Sequence, residues 1–168
     1  VVPCFEYSDG TFCYPDTNGG GCWKKMNPRV EIKAVQDRNN ETNHNMSKLC
    51  RMIRSWKDTN NVSIKGITID ILVHRFLYNY KYRSESFIYY DYMTRDFFYY
   101  LMNIPIEQSH YLVMGSNRYI YDFGCFQNKA EKAYNLVVEA ISADRNGYFY
   151  TRNQKFRDVF GSRFPTNR

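Results

Sequence analysis

A chain of 168 residues, 43% hydrophobic and 24% charged, has the length for one domain with a sizeable core, or for one domain plus part of another. Its 18% aromatic content, with 16 Tyr and 12 Phe, argues against intrinsic disorder, and no apolar run approaches the roughly 18 residues of a membrane span. Lys and Arg exceed Asp and Glu by 23 to 17, a net charge of +6 that suits either a polyanionic partner or plain solubility. No charged-then-apolar leader opens the sequence, which argues against a secreted precursor. The five cysteines (Cys4, Cys13, Cys22, Cys50, Cys125) are odd in number, scattered and without a C-x-x-C pair. They fit neither a zinc site nor a disulfide framework, and the expected setting is a reducing, cytoplasmic one.

In chain order, Val1 to Tyr7 reads as a buried strand, Ser8-Asp9-Gly10 as a tight turn and Thr11 to Tyr14 as the returning strand. Apolar residues run from the first position without a starting Met, so the chain is expected to be a piece of a longer protein. Pro15 to Gly21 reads as a long loop of residues that accept unusual backbone angles. Its triple glycine suits close approach to a ligand or, more simply, a flexible surface loop; no G-x-G-x-x-G or G-K-[ST] phosphate loop is present. The loop delivers Cys22-Trp23-Lys24-Lys25 and ends at Asn27-Pro28.

From about residue 29 the pattern is helical. Met46, Leu49, Cys50, Ile53 and Trp56 share one apolar face, with Arg51, Arg54 and Lys57 off that stripe, and Asp58 to Asn61 stops the helix. Ile64 to Tyr80 is apolar nearly all round, the mark of a central helix. Asp70 within it must be paired or reach a water-filled cleft, since burying a lone carboxylate is costly. Residues 81–88 connect to an aromatic helix from Tyr89 to Met102. The stretch from 109 to 126 reads as irregular, Gln127 to Asp144 as an amphipathic helix, and 153–160 as a last short helix stopped by Gly161.

No self-sufficient active site is visible. His44, His74 and His110 fall in no metal motif, no G-x-S-x-G elbow exists, and no cysteine has an evident histidine partner. What remains is a cationic helix face, a glycine-rich loop with Trp23, and many tyrosines. Cations meet phosphates and aromatic rings stack on bases, although a solvated helix face and core packing explain the same residues.

Several stretches, in their order, shift that balance. Val1-Val2-Pro3-Cys4-Phe5 with the Gly-Gly-Gly-Cys-Trp loop and Asn27-Pro28 resembles the cyclic-oligonucleotide synthases of bacterial anti-phage systems. These belong to the nucleotidyltransferase superfamily that also holds cyclic GMP-AMP synthase and oligoadenylate synthetase. Leu49 to Lys57 resembles that family's L-x-R-x-x-[KR]-x-W-[KR] helix, and Ile64 to Asp70 the start of its central helix. Tyr90 to Phe98, Gly115-Ser116-Asn117, Gly124-Cys125-Phe126, Lys129-Ala130 and Phe160 to Pro165 are similar to the same family.

The resemblance implies an α+β, mainly α fold: residues 1–30 as a β-hairpin remnant of a nucleotidyltransferase sheet, followed over 31–168 by a C-terminal helical bundle. It implies an enzyme that joins nucleoside triphosphates into a cyclic di- or oligonucleotide, with this chain as one wall of the nucleotide cleft. Mg²⁺ and its carboxylates, with the Gly-Ser turn that grips the triphosphate, would lie in an N-terminal catalytic half that this chain lacks, so the chain alone is expected to be inactive. By position, Arg54 matches the family's cation for the donor triphosphate, with Arg51 and Lys57 as helpers. Asp70 would either orient Arg54 or be a structural ion-pair partner. Ser116, Asn117 and Tyr119 would face a base or ribose, and Trp23, on the loop after the first strand, would lie near the cleft mouth. Gly66 stands where some relatives carry serine. Further partners would be a regulatory protein or nucleic acid. Two other readings stay open: a non-catalytic nucleotide- or RNA-binding module of the same fold, and a template-independent polymerase with linear products.

Overall fold

The computed structural model describes residues 3–17 and 20–166. Three short antiparallel strands come first, in the order β1-β2-β3. Of the expected strand from Val1 to Tyr7, the first two residues lie outside the described ones, and only Phe5–Glu6 pairs as β1. Rather than being buried, Phe5 is 68% exposed, because β1 has a single neighbour and no layer covers it. The tight turn forms as read: Tyr7 N–H donates to the Thr11 carbonyl at 2.8 Å and Gly10 adopts φ 77°, open to glycine.

β2 (Phe12–Asp16) runs on through Pro15 and Asp16, which the sequence places in a loop. Pro15 pairs with Trp23 and Asp16 with Cys22 of β3 (Cys22–Met26). Proline is tolerated there because β1 pairs only as far as Cys13, leaving β2 an edge strand on that side. The connecting loop is correspondingly shorter than expected. Gly20 and Gly21 have φ of 92° and 85°, and a Cβ on Gly20 would meet nothing within 4 Å. Both angles lie in the left-handed region that favours glycine.

Among the described residues, six α-helices follow. Asn27 caps α1 (Pro28–Glu41) through its Oδ1, and Pro28 begins the helix where its missing N–H has no helical partner to lose. The helical stretch is interrupted at Asn43 and His44, which take left-handed φ of 50° and 62°, a conformation that Asn and His tolerate better than most residues. α2 (Asn45–Thr59) then buries Met46, Leu49, Cys50, Ile53 and Trp56, the expected stripe. α3 (Gly66–Asn79) is central, burying Ile69, Ile71, Leu72, Val73 and Leu77.

A 3₁₀ turn (Phe87–Tyr89) leads into α4 (Tyr90–Met102), whose Phe98 meets Trp56 of α2 edge-on at 5.1 Å. The region read as irregular contains an antiparallel hairpin, β4 (His110–Leu112) against β5 (Tyr119–Tyr121), in the register His110↔Tyr121 and Leu112↔Tyr119. α5 (Gln127–Arg145) buries Ala130, Ala133, Val137, Ala140 and Ile141, with Leu136 partly covered. α6 (Phe149–Phe160) starts four residues before the expected 153, because Phe149 and Tyr150 are exposed and give no amphipathic signal.

The architecture is α+β and mainly α, with the core between the helices. Arg29 of α1 ties the three-stranded sheet to them, pairing with Glu6 at 2.6 Å and lying over the Phe12 ring. Among the described residues no helix is long and apolar enough to cross a membrane.

Candidate functional site: cations around the start of α3

Arg54 and Asp70 face each other across α2 and α3. One guanidinium nitrogen, Nη2, donates to both Asp70 carboxylate oxygens, at 2.6 and 2.7 Å, and lies 3.4 Å from the Gly66 carbonyl. Asp70 is therefore paired, and with Glu31, Ile32 and Val35 of α1 and Met114 of the hairpin turn it also lines an open cleft. Burial works against the Arg54 charge, but Asp70 more than compensates and holds its pKa above the ordinary value. Asp70 engages Nη2, Cys50 also meets the guanidinium, and with the Arg54 side chain 41% exposed the remaining N–H groups are open to a ligand. Cys50, one turn earlier, is closed off: burial, then Asp70, push its thiol far up.

The start of α3 lies at the same place. Its cap comes from 57 residues away: Asp122 Oδ2 accepts from Lys65 N–H at 2.7 Å and from the Thr68 hydroxyl at 2.6 Å. Asp122 Oδ1 accepts from Gly124 N–H at 3.0 Å. The next amides, of Gly66, Ile67 and Thr68, belong to the helical turn that has no internal acceptor, so the positive end of the α3 dipole stands beside Arg54. Lys57, one turn beyond Arg54, lines a recess with Ser63, Lys65 and Phe123. Lys65 Nζ is held on the Tyr121 carbonyl at 2.6 Å, and Lys57 Nζ is 3.3 Å from Asp58. Three cations around a helix start can bind a phosphate or another oxyanion.

Of the residues singled out in the sequence, Arg54 and Lys57 lie one turn apart on α2, and Arg51 is exposed one turn before Arg54, with Nε on the Ser47 carbonyl. The others divide. Ser116 is spent on docking the hairpin turn to α1: its hydroxyl donates to Glu31 at 2.7 Å, and Arg118 pairs with the same carboxylate at 3.3 Å. Asn117 has φ 54° and lines a separate recess with His74, Arg75 and Met114. Tyr119 is 61% exposed on β5, its ring beside His110. Trp23 stands on strand β3, not on a loop, and its ring packs against Phe5 within the sheet.

Asp122 escaped the sequence reading, and Lys65 and Gly124 entered it only within longer motifs, with no role at the site. The signal was there: in Tyr119-Ile120-Tyr121-Asp122-Phe123, Asp122 takes an inward position of an alternating strand, where a carboxylate needs a structural or chemical reason. Among the described residues no three His, Cys, Asp or Glu side chains converge to hold a metal ion.

No family model matches the chain. Over 180 aligned positions it is 25% identical to a protein of Bacillus cereus (strain VD146) named probable cyclic nucleotide synthase, and this alignment takes in 99% of the chain and 51% of that protein. The chain thus spans about half the length of the curated relative it matches, and the similarity supports a distant relationship to a cyclic nucleotide synthase.

Proposed function

We propose that this chain forms one wall of the nucleotide cleft of a nucleotidyltransferase that joins nucleoside triphosphates into a cyclic di- or oligonucleotide signal, in the cytoplasm and in defence against phage. In this reading residues 1–30 end the nucleotidyltransferase core and 31–168 are its C-terminal helical domain. One observation carries it: Arg54 is fixed by both oxygens of Asp70 while keeping N–H groups for a ligand. Charge-assisted hydrogen bonds of this kind contribute about 1.5–3 kcal/mol each. Lys57 and Lys65 line a neighbouring recess and add positive charge beside the start of α3, and Arg51 lies one turn away on the same helix. The printed name of the Bacillus cereus relative points the same way.

The residues do not share one task. Arg54 would bind the donor triphosphate, with Lys57, Lys65 and Arg51 contributing charge, and Asp70 would act through Arg54 by orienting it. Tyr119 and Asn117 would approach the base or ribose. Ser116 would help by holding the hairpin turn on α1, and Trp23 would act from the sheet. Divalent ions in such an enzyme neutralise phosphate charge and activate the attacking hydroxyl. The described residues do not fit a Mg²⁺ centre. The carboxylates that would hold it are assigned to sequence beyond this chain, and the chain's own work is to bind and orient.

Titration calorimetry of the chain with ATP and GTP tests the binding claim. Arg54→Ala should weaken binding about tenfold or more, and an unchanged Kd would sink it. Incubating the longer protein with four nucleoside triphosphates and Mg²⁺ tests the reaction: cyclic products lost with Arg54→Ala support it, whereas linear products alone mean a template-independent polymerase.

A further inference from the structure

The β4–β5 hairpin turns an aromatic face to water. Alternate residues of a strand point to opposite sides, and along β5 and its continuation Tyr119, Tyr121 and Phe123 are 61, 58 and 78% exposed while Asp122 between them is buried. Rings of this size are usually covered, and three in a row at the surface mark a place where something planar or apolar lands. The Tyr121 and Phe123 rings lie within 11° of parallel, their centres 6.4 Å apart.

Charge narrows the choice of occupant. Lys65 has its ammonium on the carbonyl of Tyr121 itself, and Lys57 lines the recess next to Phe123. His110 is the ladder partner of Tyr121 and its ring lies 6.1 Å from that of Tyr119. Asp122, the carboxylate of this strand, spends its oxygens on three internal hydrogen bonds and presents none to the face. Asp58, an exposed acid, is already beside Lys57. An apolar protein partner would be matched by the rings but not by the lysines that border them.

We infer that the outward face of this hairpin binds single-stranded nucleic acid, its bases stacked on Tyr119, Tyr121 and Phe123 and its phosphates drawn to Lys57 and Lys65. Alternate strand residues stand about 6.7 Å apart, about twice the 3.4 Å repeat of stacked bases. A duplex has no gap for a ring, but a strand with splayed bases places one base on each ring. Stacking is tolerant of sequence, because every base has a π-face, so the face should prefer single strands over duplex more than one base over another. The inference does not rest on the triphosphate reading of Arg54: a strand on the hairpin needs no turnover, and although Lys57, Lys65 and Tyr119 serve both readings, Arg54 belongs to the first alone and Tyr121 and Phe123 to the second, so variants of these three separate them.

The test is fluorescence anisotropy of the chain with labelled U12, against the matching blunt duplex and against UTP as competitor. Tyr121→Ala and Phe123→Ala should each weaken U12 binding about tenfold, whereas Tyr121→Phe, which keeps the ring, should retain it. Lys65→Gln should lower the slope of log Kd against log salt by about 1. These side chains are exposed, so melting curves of the variants should match the parent; should an alanine variant melt early, Tyr121→Phe and the salt slope still decide. Unchanged affinity in both alanine variants, duplex bound as tightly as U12, or UTP competing at the concentration of U12 would each overturn the inference. Loss of U12 binding with ATP binding intact would leave the cleft reading standing, and the reverse pattern would leave the hairpin reading standing.

Discussion

Gly124 lies against the backbone of Ser63 so closely that a Cβ on it would come 1.8 Å from the Ser63 carbonyl oxygen. This contact presses the end of the hairpin onto the segment that leads into α3, and so sets where Lys65, Gly66 and Asp70 stand relative to Arg54. Since backbone cannot yield as a side-chain tip can, Gly124→Ala should cost about 3 kcal/mol, which for a chain of this size lowers the Tm by roughly 10 °C. Differential scanning calorimetry reads this directly. A melting curve that superimposes on the parent would show that the hairpin does not hold α3.

Asp122 closes the same junction by hydrogen bonding. Asp122→Ala leaves the Lys65 and Gly124 amides and the Thr68 hydroxyl without their acceptor, in a site where the carboxylate is 5% exposed. The expected loss is about 3 kcal/mol, against about 1 kcal/mol for Thr68→Val, which removes one bond together with its donor. Urea unfolding of the two variants and of the double variant would show whether these bonds act as one unit.

Asp70→Asn separates holding Arg54 from having it. The side chains of the pair are 41% and 27% exposed, so screening leaves the stability change near about 1 kcal/mol or less. Its effect should appear in ligand binding instead, as a loss of about threefold, smaller than that of Arg54→Ala. Equal losses in both variants would make Asp70 a contact in its own right.

His74 gives the chain a pH dependence of stability. Burial first, then Arg38 and Arg75, lower its pKa below the model-peptide value of 6.5, with Glu41 opposing. A base whose folded pKa is depressed favours the unfolded state once that state takes up a proton. Stability from this group is thus fully present above 6.5 and declines as pH falls through 6.5 towards the folded value. Urea midpoints at pH 7.5 and 5.5 should differ in the parent, and the part of the difference due to this residue should vanish in His74→Gln.

Thiol labelling should sort the cysteines by environment. Cys4, Cys22 and Cys125 are exposed, whereas Cys50 is buried and its thiol strongly disfavours ionisation. Ellman's reagent should therefore modify the exposed three quickly and Cys50 only on unfolding. Prompt modification of Cys50 under native conditions would mean that α2 and α3 open readily.

How much was readable in advance follows the range of the interactions. The apolar stripe of α2 from Met46 to Trp56, the all-round apolar α3 and the alanine-rich inner face of α5 repeat with the helical period, so neighbours a few residues apart already encode which side is buried. The cations Arg51, Arg54 and Lys57 stand out for the same reason, as residues off that stripe. The β4–β5 hairpin did not, because each strand is three residues long and the alternation shows only when β5 is read on through Asp122 and Phe123. Nor did the first turn of α6, whose aromatic residues face water.

Local pattern in the chain therefore sufficed for a mainly helical α+β fold, a cationic face on α2 and a carboxylate on α3 in need of a partner. That Asp70 grips Arg54, that Asp122 caps a helix 57 residues away, and that Ser116 is spent on Glu31 while Tyr119 remains free to water depend on contacts between distant segments. Such contacts exist only when packing of the whole core brings the segments together, and no short window of sequence carries them.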